Sequence, residues 1–536
     1  MKVLLLSNVN MQPLLRRLEP WDVGCGTYNS MLADLATTDS PAAASDVTQV
    51  ICLFDTDTLM GEALYGAGAP EQCEMFLAAL DGFCARHPDK VVVANTFCVG
   101  SNRWLGFADF GHQASLKSAE AQLNARLAAI AKTRRNLVVL DLDVLFRRHG
   151  EDALVSNAFW YVGRIRYTAK MFDLLGETIR RALDAHAQKS RKVLVVDLDN
   201  TLWGGIVGEV GPHGITLSED GPGRCYSDFQ RALQAIRRTG VLLVALSKNN
   251  AADVDEVFDQ NAKMILKRED FALIRANWQS KAENMVAIAD ALNLGIDSFV
   301  FIDDNPIERE EVARFLPEVA VPAFPSRCEE LTNWLLRDVV PAYFGKYAIT
   351  AEDAAKTEQY RANEARRKMA ASFDLDGYLA ELGIECSIQV DMENQLVRAA
   401  QMTQKTNQLN LTTRRYEVTD LARFVQSQEH AVLMLDYRDR FGDEGSVALA
   451  IVDLAEGRID TLLTSCRVIG RKVESRLIDK AIELCRARGH RRIVGEYIPT
   501  RKNQLVADFY DKHGFVPAAT FADGRKIYER AINAGP

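Results

Sequence analysis

The chain has 536 residues, 48% of them apolar, and a formal net charge of −9. That length corresponds to about three or four domains, and the acidic balance argues against a nucleic-acid binder, which usually carries a basic stripe. No apolar run approaches the ~20 residues of a membrane span, and the ten cysteines lack the paired spacing of a zinc or disulfide framework, so a reduced, cytoplasmic protein is expected.

The opening run Met1-Lys-Val-Leu-Leu-Leu6 turns polar at Ser7-Asn8. It is too short for a signal peptide and reads as a first strand. Strands are predicted over 3–6, 47–53, 91–94 and 137–142, with helices between them, one of them over 118–133. This alternation predicts an α/β unit with a mostly parallel sheet over residues 1–188. The small, charged segment Ala185–Arg191 marks its end.

A second unit is predicted over 189–345. Val193-Leu-Val-Val196 makes a buried strand that ends in Asp197-Leu-Asp199-Asn-Thr201. Two carboxylates crowded at a strand tip repel each other unless a cation sits between them. A hard cation such as Mg²⁺ takes carboxylate oxygens and leaves positions for phosphate. One carboxylate can then attack phosphorus while the other handles a proton. Three further segments fit that centre. The strand 241–246 ends in Ser247-Lys248-Asn249-Asn250, Asn277-Trp-Gln-Ser-Lys281 follows, and the strand 298–302 ends in Asp303-Asp304-Asn305-Pro306. Each lies at a strand end or helix start, where open α/β sheets gather ligands. A hydroxyl, an ammonium and a further carboxylate pair are what phosphoryl transfer with Mg²⁺ requires. The loop from Trp203 to Gly223 is dense in glycine and too short for a large cap domain, so an open site is expected. A helix follows, with Tyr226, Phe229, Leu233 and Ile236 on one face and Gly240 as its stop.

Residues 346–382 read as a helical connector rich in Glu, Lys, Arg and Ala, its charges forming a solvated face. Residues 383–536 read as a third unit. Strands are predicted at 384–390, 431–436, 446–452, 458–465 and 492–497, and helices at 395–405, 472–488 and 503–513.

The Asp197 to Asp304 set resembles the haloacid dehalogenase superfamily of phosphotransferases. The resemblance implies that Asp197 is the nucleophile and Asp199 the general acid/base. It implies that Thr201 and Ser247, with Lys248 and Asn249, hold the phosphoryl oxygens or the loop around them, and that Lys281 neutralises charge. Asp303, with Asp304 beside it as the alternative ligand, would bind Mg²⁺ next to Asp197 and the backbone carbonyl of Asp199. The third unit's element order resembles the GNAT acyltransferase fold, with Arg467-Val-Ile-Gly470-Arg-Lys472 before the long helix. Lys472 stands where a second Gly or Ala is usual, which argues against acetyl-CoA catalysis and for a structural role or a grip on a carrier's phosphopantetheine arm.

Four longer stretches are more specific: Asp197–Glu209, Phe301–Glu310, Thr406–Arg415 and Ser465–Glu474. With them the chain is similar to the FkbH-like family, over nearly its whole length, including an N-terminal region similar to SGNH hydrolases. The fold class implied is three α/β-type domains: SGNH-like α/β, haloacid dehalogenase-like Rossmannoid α/β, and GNAT-like α+β. The first lacks the Gly-Asp-Ser turn and Asp-His pair of SGNH enzymes, so it reads as a scaffold. The function implied is dephosphorylation of 1,3-bisphosphoglycerate and loading of glyceryl onto an acyl carrier protein thiol in polyketide-type biosynthesis. A plain Mg²⁺-dependent phosphatase and a carrier-docking protein are the alternatives. Glyceryl transfer calls for a relay thiol. Cys225 is the first choice, at the start of a helix whose unpaired amides, with Arg224, favour a thiolate. Cys466 is the second. Arg164 and Arg166 are surface arginines available to an acidic carrier.

Overall fold

In a computed structural model of the chain, residues 2–66, 69–101, 103–112, 114–350, 353, 355–370, 382–406, 409–465, 468 and 471–532 are described. They fall into two compact units, 1–187 with 416–426, and 188–415 with 427–536. Among the described residues no helix is long and apolar enough to cross a membrane.

The first unit carries five parallel strands: β1 (Lys2–Ser7), β2 (Asp22–Cys25), β3 (Gln49–Leu53), β4 (Val91–Asn95) and β5 (Leu137–Leu140), in the order β2-β1-β3-β4-β5. β3 and β4 are buried along their whole length, as continuous apolar runs in a covered parallel sheet should be. Helices Glu71–Arg86 and Leu116–Thr133 pack on the sheet through Phe76, Leu80, Phe83, Leu123 and Leu127. Arg166 turns inward, contrary to its reading as a surface arginine. Its guanidinium pairs with Asp55 at 3.1 Å and Asp57 at 2.8 Å and is mostly buried. Two inward carboxylates bind it more firmly than water would. Arg164 lies over the Trp160 ring at 4.9 Å.

The second unit holds two sheets with separate cores. Four parallel strands, β6 (Val193–Val196), β7 (Leu242–Ser247), β8 (Phe271–Ala276) and β9 (Phe299–Ile302), run in the order β8-β7-β6-β9. Alternate residues of β6 point to opposite faces. Leu194 and Val196 join Phe229, Leu233, Val257 and Phe258 on one side. Val193 and Val195 join Met285, Ile288, Leu292 and Val312 on the other. The sheet is therefore covered on both faces. The chain builds outward from β6 through β7 to β8, then returns to place β9 on the opposite side of β6. That reversal makes a switch point between β6 and β9, the place where such sheets open a crevice for ligands.

The second sheet has seven strands: β10 (Glu385–Val390), β11 (His430–Asp439), β12 (Gly442–Asp453), β13 (Arg458–Thr464), β14 (Arg492–Tyr497), β15 (Val516–Thr520) and β16 (Lys526–Ala531), in the order β10-β11-β12-β13-β14-β16-β15. Its parallel pair, β13 with β14, joins at Arg458–Val494 and Ile459–Gly495 and then parts. Lys472, before helix Glu474–Ala487, adopts φ +56°, a conformation where glycine is at ease and a long side chain is not. Arg467 and Gly470 of the same turn lie outside the described residues, as does Cys466.

The connector differs from its reading as a solvated face. Its described helix, Lys356–Ala370, packs against β8 and β12. Arg366 is 1% exposed and ion-pairs with Asp439 at 2.6 Å and with Glu444. Thr357 and Gln359 are also buried. Residues 371–381 of the connector lie outside the described residues.

Candidate active site at the carboxylate cleft

At the carboxyl ends of β6, β7 and β9 lies a cleft of about 690 Å³. Asp197, Asp199, Ser247, Lys248, Asn249, Lys281, Asp303 and Asp304 all line it. Asp197 follows the last residue of β6, and Asp303 the last residue of β9. The switch point thus sets two carboxylates from different strands side by side. Carboxylate oxygens of Asp197, Asp303 and Asp304 lie within 4.8 Å of one another. That set of hard oxygen donors suits a divalent cation such as Mg²⁺ or Mn²⁺.

Lys281 opens helix Lys281–Leu292, capped by Ser280 accepting from Glu283 N. Its ammonium is 3% exposed; it donates to Asp197 Oδ1 at 2.6 Å and to Asp303 Oδ2. Burial opposes the Lys281 charge, but the Asp197 and Asp303 carboxylates more than offset it and raise its pKa. Burial also raises Asp304, and Asp303 reinforces the shift. One ammonium therefore faces three crowded carboxylates, an arrangement that a second positive charge would complete.

The carboxylate of Asp199 stands apart from that trio. Its Oδ1 accepts from Trp203 Nε1 at 2.9 Å and Val207 N at 3.1 Å, and its Oδ2 accepts from Asn249 Nδ2 at 2.8 Å. The loop after it is shaped for this grip. Asn200 takes φ +53° and accepts from Gly205 N at 2.9 Å, while a Cβ on Gly204 would fall 2.7 Å from the Tyr226 ring. Thr201 is fully buried and accepts from Asp304 N at 3.1 Å, tying the β6 loop to the β9 loop. Asn249 also donates to Ser247 Oγ at 2.9 Å. The chain between Trp203 and Gly223 supplies one short helix, Val207–Val210, over this rim.

Cys225 is placed differently. It is the fifth residue of helix Gly221–Arg237, one beyond the four whose amides lack an intrahelical acceptor. It does not line the carboxylate cleft. Its Sγ lies within 4.8 Å of the Cys328 Sγ and a Glu329 oxygen. Arg224 donates to Asp228 at 3.4 Å and to the Glu219 carbonyl at 3.2 Å, so its charge is already shared.

Two residues that line the cleft were not assigned a role from the sequence. Glu308 binds Lys248 Nζ at 2.6 Å, and Trp278, 69% exposed, donates to Asn250 at 3.0 Å. The signal for Glu308 was its place in the first turn of helix Pro306–Phe315, directly after the Asp303-Asp304 pair.

No family model matches the sequence, and no curated protein matches it. Among solved structures, the N-terminal part of the protein BF1531 from Bacteroides fragilis, which contains a phosphatase domain and was crystallised with Mg, is similar over 65% of this chain and 95% of its own, at 24% identity and a TM-score of 0.60. At that identity the likeness shows the fold. Ard1 from Thermoplasma volcanium covers 28% of this chain and 99% of its own, at 18% identity and a TM-score of 0.22. The ribosomal-protein-S18-alanine N-acetyltransferase from Escherichia coli covers 28% and 97%, at 15% and 0.22. At those scores neither structure carries an argument about this chain.

Proposed function

We propose that this chain is a Mg²⁺-dependent phosphotransferase of the haloacid dehalogenase type. The observation that carries the reading is the juxtaposition of Asp197, Asp303 and Asp304 around Lys281 at the switch point of a parallel sheet. Asp197, Asp303 and Asp304 would hold the cation, which shields phosphoryl charge when bound. Asp197 attacks phosphorus in line, forming an aspartyl phosphate as the leaving oxygen departs. Lys281 neutralises the oxygens of the transferred group. Asn249 and Ser247, joined at 2.9 Å, orient its rim. Asp199, held by three donors, is the group placed to exchange a proton with the leaving or attacking oxygen.

The finer reading follows the resemblance to the FkbH-like family. The substrate is 1,3-bisphosphoglycerate, and the product is a glyceryl thioester on an acyl carrier protein. A thiolate attacks the acyl carbon, phosphate leaves from the acyl phosphate, and the second phosphate is removed by water through Asp197. An open cleft suits a substrate presented by a partner. The parting of β13 from β14 supports a grip on a carrier's phosphopantetheine arm. Beside it lies a cavity of about 240 Å³ lined by Leu411, Leu462, Val506 and Phe509. The test is the intact mass of a candidate carrier protein after incubation with this protein, Mg²⁺ and 1,3-bisphosphoglycerate. A glyceryl adduct supports the reading, and its absence with free phosphate released refutes the transfer step.

A specific observation favours a second reading, a plain small-metabolite phosphatase: Cys225 is outside the cleft and beside Cys328. Carrier loading by the wild type separates the two, and Cys225→Ser then tests the relay. Carrier loading should be lost and phosphate release kept if Cys225 is the relay. Loading that survives in the variant moves the thiol elsewhere, to Cys466 or to the carrier itself.

A further inference from the structure

The second unit holds a further cavity of about 110 Å³, at the opposite end of the four-stranded sheet from the carboxylate cleft. Lys192, Leu242 and Ser298, which stand at the amino-terminal ends of β6, β7 and β9, form one wall. Lys405, at the end of helix Leu396–Lys405, and Thr464, at the end of β13, form the other. Lys346 and Lys356 close it.

Six cationic side chains therefore border one small space: Arg191, Lys192, Lys346, Lys356, Arg398 and Lys405. Among the described residues no carboxylate lines it. The carboxylate that acts on all of Lys346, Lys356 and Lys405 is Asp353, fully buried, whose Oδ1 accepts from Lys346 Nζ at 2.8 Å and from Lys356 Nζ. Lys192 donates to the Lys405 carbonyl at 2.8 Å, and Arg398 to the Ser446 carbonyl at 3.0 Å. For the Lys405 ammonium no hydrogen bond or ion pair is found among the described residues. Cations crowded this closely repel one another, and holding them away from water is costly. Burial and the neighbouring ammonium groups push Lys356 down to about 7 and Lys405 well below its ordinary value.

A lining rich in cations and without a carboxylate suits an anion, and the size sets its class. The cavity holds about three to four water volumes, enough for one phosphoryl group and too little for a nucleotide. We propose that this cavity is a binding site for a small phosphate-bearing anion, separate from the carboxylate cleft. Ammonium and guanidinium groups are its ordinary partners in proteins. The phosphate could come from two sources, free inorganic phosphate or the phosphate monoester of a small metabolite. Both present the same dianion to the same six side chains.

The test is isothermal titration of the full chain in chelator, with inorganic phosphate and with 3-phosphoglycerate as separate probes. Without a cation the carboxylate cleft repels both anions, so it does not contribute. We expect one saturable site, with the tighter probe identifying the source. Lys405→Met should weaken binding by at least about tenfold, and Lys405→Arg, which keeps the charge, should retain it. Should Lys405→Met fail to fold by circular dichroism, Lys356→Gln takes its place. Mg²⁺-dependent phosphate release should survive in Lys405→Met, so failure of this inference is distinct from failure of the phosphotransferase reading. No saturable heat with either probe, or equal affinity in wild type, Lys405→Met and Lys405→Arg, overturns it.

Discussion

Burial raises the Asp197 carboxyl, Lys281 pulls it down, and Asp303 and Asp304 add to the rise, which leaves it at about 7. Its ionised form is thus held at a net cost in the absence of a cation. Two predictions follow from that balance. Asp197→Asn removes the charge but keeps the shape, so phosphate release should fall by at least about a thousandfold while the melting temperature stays equal or rises. A variant that keeps most of its rate removes Asp197 from the mechanism. A cation at this site must also displace the retained proton. Mg²⁺ affinity should therefore increase as pH rises through neutrality, with proton release visible as a dependence of the calorimetric heat on buffer ionisation. A pH-independent affinity would mean that Asp197 is not a ligand. The positions of Asp197, Ser247 and Asp303 were legible in the sequence because each ends an apolar run that only a buried strand explains. The pairing of Glu308 was not, because its partner Lys248 lies 60 residues away; only its place in the first turn after the Asp303-Asp304 pair hinted at a role.

Strand ends carry the candidate chemistry, but the connector helix Lys356–Ala370 joins the two sheets of the second unit. Arg366 reaches Asp439 and Glu444, which are 73 and 78 residues further along the chain. A run of Lys, Glu and Arg looks solvated from sequence alone, since its partners are contributed by a sheet that forms elsewhere. Arg366→Met would leave two buried carboxylates without their main cation. It should lower stability by about 3–5 kcal/mol in denaturant titration, whereas Arg361, exposed on the same helix, should tolerate the same change. Equal small effects at both positions would show that the pair is not holding the helix down. Strands at a sheet edge or next to one were also hard to read. β2, β15 and β16 are short and mostly exposed or half-exposed, so they lack the apolar alternation that marks a strand. β8 was missed for a related reason: only its first two residues are buried.

At the scale of the whole molecule, the division into units follows contacts that sequence order hides. Residues 416–426, which form helix Val418–Gln426, belong with 1–187, although they fall inside the segment read as the third unit. Val418 and Leu421 of that helix are fully buried, but no local signal assigns the helix to a unit. The alternation of strands and helices did reveal the parallel sheets of both units, because buried parallel strands have few other readings. The second unit thus combines two sheets, a carboxylate cleft at one end of the first and a cationic cavity at the other. Covalent phosphoryl transfer through Asp197 is tested most directly by intact mass after an acid quench. The full-length protein is mixed with Mg²⁺ and p-nitrophenyl phosphate, quenched within the first turnovers and weighed. A gain of one phosphoryl group in the wild type, absent without Mg²⁺ and absent in Asp197→Asn, is the predicted result. A phosphoryl adduct that persists in Asp197→Asn, or phosphate release that is unaffected by chelator, would contradict it.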